Sequence, residues 1–502
     1  MRRRALIIAI LLLAFALRVN DLRSSPLWFD ESMEYWIASA PLDQLLPSIK
    51  SGIQDPPLYS VALHFWKAIG DGEFILRYLS LSASLLSIAG IYLLGKKVHS
   101  EAAGMFAALL LTFIPPDIRF AQEVGQYAFL TFSLVFYFLI LILAIETNAW
   151  RYWIAWSLMA VIGIYSYYGS LLLIVPVALV SVALSVIGKR WQNALRQGIA
   201  ILIFIVASLP LLTSWLPDQL FRGPTTSAFT VYGLPIVTEI ELFLQQTADM
   251  LSYQLTGYLP EPTLWTSLKT TAWLLVLLVL LVVLRAKTKH RQVILWLVLS
   301  WGLYYLAGRF GAYPYGGTRH ALILTPLLVL ALAISTATLW YWRRFAGLAI
   351  LAAMLVTTIL APGEAPEDLR SVASQWLNRR DPTTPTYVYY GAVPGFRYQV
   401  ERLEKPEEDV YGIWFRECWF GEQPDFCSDK DIHYGRWIRQ LTPSEKVEEI
   451  TDTFTEPVDR FWLILSHTSD TERVELIEAA SDYYRIADFI EASGASAYLF
   501  DK

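Results

Sequence analysis

The chain has 502 residues, 55% hydrophobic and 14% aromatic, with a mean hydropathy of +0.42 and a net charge of −5. So apolar a chain of this length is not an ordinary soluble enzyme, and no basic patch falls on a soluble surface, which excludes nucleic acid as a partner. Only two cysteines occur, Cys418 and Cys427. They fit a disulfide in an oxidising compartment, the alternative being two unpaired thiols; no Cys/His spacing suggests structural zinc.

Apolar runs recur from Leu6 to Pro362, most of them about the 17–22 residues a helix needs to cross a bilayer. Roughly eleven are expected: Ala5–Leu17, Phe74–Gly95, Ala102–Ile114, Tyr127–Ile145, Tyr152–Tyr168, Leu171–Ile187, Ile199–Leu216, Leu268–Leu284, Val293–Ala307, Ala321–Trp340 and Phe345–Ala361. Arg2-Arg3-Arg4 before the first run reads as an uncleaved signal anchor, with Ala14-Phe15-Ala16 the alternative of a cleavage site. With the N-terminus in the cytoplasm, the inside loops hold 15 basic residues against two acids, Glu101 and Glu146. This bias sets the orientation and exports the tail. The expected localisation is the cell membrane, inner or plasma.

Two domains are expected. Residues 1–363 form the membrane domain, with a long exported first loop over 18–73, and 364–502 form an exported soluble α/β domain. The tail carries 15 basic and 28 acidic residues, a charge of −13 that leaves +8 on the rest. In the first loop, Leu58 to Ile69 has the spacing of a helix lying in the membrane interface or packed on the bundle. In the tail, strands are expected at Thr386–Val393 and Arg460–Thr468, helices at Asp368–Arg380 and Thr471–Tyr484, and a closing hairpin at Ile486–Glu491 and Ala495–Asp501.

The first exported loop holds the most informative residues. Asp30-Glu31 and Asp55-Pro56-Pro57-Leu58-Tyr59 are acidic signals near a bilayer, where charge is costly and usually functional. Later exported loops add Arg119 and Glu123, Arg222, and a glycine-rich run with Tyr313, Tyr315, Arg319 and His320. Arginine suits planar, bidentate contact with phosphate, so Arg77, Arg119, Arg222 and Arg319 are the candidate anion ligands, the bland alternative being pairing with loop acids. His320 beside Arg319 is a weaker phosphate candidate. Tyr127, Tyr165, Tyr167, Tyr168, Tyr313 and Tyr315 suit a sugar pocket or, more ordinarily, an interfacial aromatic belt.

In combination these motifs resemble the C-type (GT-C fold) glycosyltransferases, the bacterial protein O-mannosyltransferase and aminoarabinose transferase relatives above all. The likeness rests on Trp28-Phe29-Asp30-Glu31, on Asp55-Pro56-Pro57-Leu58-Tyr59, and on Gly70-Asp71-Gly72-Glu73-Phe74 with Arg77. Glu123 to Tyr127 and Thr318-Arg319-His320 with Pro326 extend it. The chain departs from the pattern at Tyr165-Ser166-Tyr167-Tyr168, where some relatives have histidine, and at His320, where tyrosine is common. The resemblance implies a membrane glycosyltransferase moving a monosaccharide, with inversion, from a polyprenyl-phosphate sugar to a lipid, glycan or protein acceptor at the outer face.

In that expectation Asp30 is the catalytic base, and Glu31 orients it or binds the acceptor; the alternative for Asp30 is a helix cap. Asp55, Tyr59, Arg77, Arg119, Glu123, Tyr127, Arg222, Arg319 and His320 bind substrate. Asp55 and Glu123 are the ligands if a divalent metal ion takes part, which no spacing demands. A lipid-linked sugar flippase and a non-catalytic membrane sensor are the competing classes. A flippase favours charges deep within spans and pseudo-symmetric halves, and a sensor leaves the acidic first loop unexplained.

Overall fold

The computed structural model describes residues 2–20, 22–52, 55–217, 236–257, 288–342, 367–403, 428–429, 431–435, 441–454 and 458–502, with a few isolated positions. The expected span Leu268–Leu284, most of Phe345–Ala361, Arg222 and both cysteines lie outside the described residues.

In chain order the helices are α1 (Arg2–Val19), α2 (Phe29–Ser39), α3 (Leu42–Gly52), α4 (Leu58–Trp66), α5 (Glu73–Val98), α6 (Glu101–Phe113), α7 (Pro115–Ala121), α8 (Tyr127–Thr147), α9 (Trp150–Ser166), α10 (Leu171–Ile187) and α11 (Trp191–Pro210). They continue with α12 (Ile236–Thr256), α13 (Thr288–Arg309), α14 (Thr325–Trp342), α15 (Leu369–Arg379), α16 (Val393–Leu403), α17 (Pro443–Asp452) and α18 (Asp470–Ser481). Tight helical turns at Tyr168–Ser170 and Arg319–Leu324 lead into α10 and α14. The remaining expected spans therefore fall on helices, with ends moved by a few residues. Among the described residues five helices are long and apolar enough to cross a membrane, six if α6 and α7 count as one bent span.

The chain divides into two compact units, and not at a single cut. One contains Met1–Asn20, Gln54–Tyr59 and Arg77–Gly363; the other contains Asp21–Ile53, Ser60–Leu76 and Glu364–Lys502. Most of the long first loop thus groups with the tail residues.

In the first unit, 83% of the Arg319–Trp340 span is buried inside the fold against 22% of Trp191–Trp215, so α14 is its central rod. Local sequence explains the helix ends. The Ser100 hydroxyl accepts the Ala103 N–H at 3.2 Å and opens α6. Asn148 takes a left-handed conformation, φ 50°, and closes α8.

The break between α6 and α7, a bend of 66°, falls at Pro115-Pro116. Neither proline has an N–H, so the carbonyls of Leu111 and Thr112, four residues upstream, lose their helical donors. Arg18, fully buried at the end of α1, replaces both. Its guanidinium donates to Leu111 O at 3.0 Å and Thr112 O at 3.2 Å, and also to Asp117 Oδ2 at 2.7 Å and Ser84 Oγ at 2.8 Å. The Ser84 hydroxyl in turn donates to Asp117 Oδ2 at 2.9 Å.

The second unit holds a six-stranded sheet. Its strands are β1 (Thr386–Val388), β2 (Ser428–Asp429), β3 (Ile432–Tyr434), β4 (Arg460–Ser466), β5 (Arg485–Ala492) and β6 (Ala495–Asp501). The order is β2-β3-β1-β4-β6-β5, with β1 parallel to both β3 and β4 and the remaining pairs antiparallel. The closing hairpin and both helices form near their expected positions, with Asp368 capping α15 through the Ser371 N–H at 3.1 Å. The strand expected over Thr386–Val393 is only three residues long. Pro394 cannot donate to a ladder, and the chain turns at Gly391 to open α16.

Replacing Arg18 with methionine should strip the donors from two buried carbonyls and leave the Asp117 charge uncompensated, a cost of about 3–5 kcal/mol. Thermal unfolding of the purified chain in detergent should therefore shift clearly downward for Arg18→Met; an unchanged melting temperature would show that the network is dispensable.

Candidate active site

In the first unit, Asp55 stands half-buried ahead of a Pro-Pro step that fixes the chain entering α4. Tyr59 is 1% exposed, its hydroxyl 2.9 Å from Ser80 Oγ, and Ser80 donates to Gly125 O at 3.3 Å. Ser80 belongs to a buried polar stripe along α5, Arg77, Ser80, Ser84 and Ser87, spaced at helical intervals. The loop between α7 and α8 supplies buried Glu123, with Arg119 one turn earlier at 4.0 Å, and ends in Tyr127 at the head of α8.

Tyr127 is the hub of an aromatic cluster. Its ring centroid lies 4.6 Å from that of Phe120, 5.5 Å from Tyr167 and 5.7 Å from the Arg319 guanidinium carbon. The Tyr167 hydroxyl and His320 Nδ1 share a hydrogen bond, with the Tyr313 ring 5.5 Å from His320 and 6.3 Å from Tyr167. Asp55 is within electrostatic range of Tyr127, Tyr167, Tyr168 and Tyr313, and Glu123 within range of Tyr127. Tyr313 as a residue is half-buried, but its hydroxyl is enclosed; that enclosure pushes its pKa well above the usual tyrosine range, so it stays a neutral donor.

Asp55, Glu123, Tyr127, Arg319 and His320 are thus brought together from three distant stretches of chain. Tyr59 joins through Ser80 and the Gly125 carbonyl. Arg77 is buried on the same polar stripe as Ser80. Arg222 lies outside the described residues. Of the other tyrosines, Tyr165 donates to Ala207 O at 2.9 Å, and the Tyr315 hydroxyl is held by Thr247 at 2.7 Å and Trp301 at 2.8 Å, so both serve helix packing. Sequence reasoning missed Ser80, whose only signal was its helical spacing from Arg77, and Gly169, whose lack of a side chain admits the Tyr313 hydroxyl.

Asp30 and Glu31 open α2 in the second unit. Glu31 is 1% exposed and accepts the Trp28 N–H at 3.3 Å, so it ties the start of its own helix; Asp30, one residue earlier, is half-buried. A third acid, Glu34, is buried on the same helix and was not singled out in the sequence. Among the described residues no group of three or more His, Cys, Asp or Glu side chains is placed to hold a metal ion.

Residues 54–215 match the family model of the dolichyl-phosphate-mannose-protein mannosyltransferases. No curated protein sequence matches the chain. Among solved structures, the apo aminoarabinose transferase ArnT of Cupriavidus metallidurans is similar at 10% identity and TM-score 0.58, covering 99% of this chain and 98% of that one. The same enzyme bound to undecaprenyl phosphate is similar at 12% identity and TM-score 0.55, covering 99% and 97%. The apo oligosaccharyltransferase of Archaeoglobus fulgidus is similar at 10% identity and TM-score 0.58, covering 99% of this chain and 74% of that chain. At such identities the likeness is one of fold. The protein is a multi-pass helical membrane protein with the GT-C fold and a C-terminal α/β sheet, as the sequence motifs lead one to expect. Its matched segment, 54–215, carries the mannosyltransferase-family likeness.

A Cβ at Gly169 would fall far inside van der Waals contact distance of the Tyr313 hydroxyl. Gly169→Ala should cost about 1–3 kcal/mol of stability by overpacking. Tyr313→Ala in the same chain should recover most of that loss. Melting temperatures of the single and double variants check this, since two losses that simply add would mean the contact is loose.

Proposed function

We propose that the protein is an inverting glycosyltransferase that takes a monosaccharide from a polyprenyl-phosphate donor and gives it to a lipid, glycan or protein hydroxyl at the outer face of the membrane. The observation that carries this reading is the setting of Arg319. It lies over Tyr127, beside Tyr167 and His320, where α8 and the turns leading into α10 and α14 all begin. Three spans that start together turn their positive dipole ends toward one place, and the guanidinium adds a full charge. That is an arrangement for an anion at the lipid boundary. The family match supports a sugar-phosphate as the anion, as do the solved ArnT with undecaprenyl phosphate and the archaeal oligosaccharyltransferase with dolichol phosphate.

The chemistry assigns the remaining roles. Asp30 accepts the proton of the acceptor hydroxyl, whose oxygen attacks the anomeric carbon as the bond to the phosphate oxygen breaks. The electron pair leaves with the polyprenyl phosphate, and the configuration inverts. Glu31 orients this base or the acceptor. Arg319, Arg77, Arg119 and Arg222 compensate the departing phosphate. Tyr59, Tyr127 and His320 hold the donor. Asp55 and Glu123 contact the sugar, or share a divalent cation if one is required. The positive-inside bias supports an exported active face and a cytoplasmic N-terminus.

The test is incubation of the purified protein with undecaprenyl-phosphate-linked mannose, glucose, galactose and aminoarabinose, each with lipid, glycan and peptide acceptors, reading release of undecaprenyl phosphate. Asp30→Asn should lower kcat about 10²–10⁴-fold while donor binding persists. Arg319→Ala should cost roughly 10²–10³-fold, with little recovery in Arg319→Lys. Full turnover in Asp30→Asn, or no release from any donor, would remove the proposal.

A further inference from the structure

Within the second unit, the sheet has a topological switch point between β1 and β4. The chain leaves β1 through α16 toward β3 on one side, and leaves β4 through α18 toward β5 on the other. In open α/β sheets the crevice at the carboxyl ends of two such strands is where ligands bind. Here the chain's own α2, the helix that carries Asp30 and Glu31, is held by residues that follow both strand ends.

Two anchors hold that helix. The first lies just beyond β4. His467 adopts a left-handed backbone, φ 54°, a strained conformation that a built-in contact must offset. That conformation lays its ring flat on Phe29, centroids 4.1 Å apart and planes 9° apart, and brings Nδ1 to 2.7 Å from Glu367 Oε1. The other carboxylate oxygen of Glu367 accepts the Phe29 N–H at 2.9 Å. Phe29 is the first residue of α2, so this N–H is one of the donors a helix start leaves unsatisfied.

The second anchor lies beyond β1, where the Trp36 indole donates to Pro394 O at 2.9 Å and the Arg397 guanidinium lies 5.0 Å over the same indole. Between the anchors, Gly391 brings the two strand ends together so closely that a Cβ there would lie 2.6 Å from Ser466 O.

The geometry points to Glu367 and His467 as positioning residues: they fix the register of α2 and thereby where the Asp30 and Glu31 carboxylates stand. Electrostatics argues that the contact is specific. The two oxygens of the Glu367 carboxylate are each engaged in a directed bond, one from a helix-start N–H and one with the His467 ring nitrogen. The α/β domain is then a clamp whose ligand is a segment of the same chain. This inference rests on the assignment of Asp30 as the base.

The experiment uses the full chain in detergent, with the undecaprenyl-phosphate sugar that turns over fastest in the panel above. Glu367→Ala should lower kcat at least 10-fold with donor KM within about twofold and the melting temperature held. Hydrogen exchange at amides 29–32 should speed by a similar factor. Glu367→Gln, which keeps an acceptor for Phe29 and a polar partner for His467, should recover most of both. His467→Asn, which tolerates the left-handed backbone without the ring, should behave like Glu367→Ala. Unchanged kcat in Glu367→Ala alongside an inactive Asp30→Asn overturns the clamp and spares the base. A loss that follows a fallen melting temperature, or that glutamine does not recover, overturns it equally. Full turnover in Asp30→Asn removes the underlying assignment instead.

Discussion

A guanidinium buried at the end of α1 is the constraint on which the membrane unit depends. Pro115-Pro116 separates α6 from α7 and turns the chain by 66°, and that turn leads to Arg119, Glu123 and Tyr127. Breaking a helix in an apolar medium strands carbonyl groups at a cost of several kcal/mol each if nothing answers them. Arg18 answers the two carbonyls the prolines orphan and pairs with Asp117 as well. A buried ion pair alone is a weak source of stability. This one differs because its donors go to groups that would otherwise have none.

The candidate site follows from that turn. Once α7 is redirected, α8 begins at Tyr127, and the turns preceding α10 and α14 begin beside it. Polar residues then collect at the heads of three spans, with apolar helix running away from them. Hydroxyls and the Arg319 guanidinium sit among aromatic faces, where an interaction with an anion is strengthened by low polarity. The serine stripe of α5 serves both places: Ser84 in the Arg18 network, Ser80 under Tyr59.

Much of this was legible in the chain. Apolar run lengths and the charge bias located the spans, and the acidic first loop and the Arg319-His320 pair stood out because charge near lipid is costly. Arg18 reads locally as a residue at the edge of the first loop, since nothing nearby in the sequence shows that it reaches carbonyls 93 and 94 positions away. The tail strand beyond Val388 was overextended because Tyr389 to Val393 is apolar enough for a strand, while Gly391 and Pro394 direct it into a turn and a helix. Tyr165 and Tyr315 are equivalent to Tyr167 and Tyr313 as sequence; only their folded partners separate hydroxyls bonded between helices from rings in the Tyr127 cluster.

By itself, then, the sequence determined the membrane class, the likeness to GT-C enzymes and the short motifs, because these follow from composition, run length and local spacing. Tertiary structure alone decided which of the exposed-looking polar residues converge. It also decided that most of the long first loop groups with the tail residues, and that Glu367 and His467 reach the helix bearing Asp30. The physical reason is range. Hydrophobic periodicity and charge bias act over a few residues, whereas a hydrogen bond such as that from Phe29 to Glu367, 338 positions apart, exists only once the chain has folded.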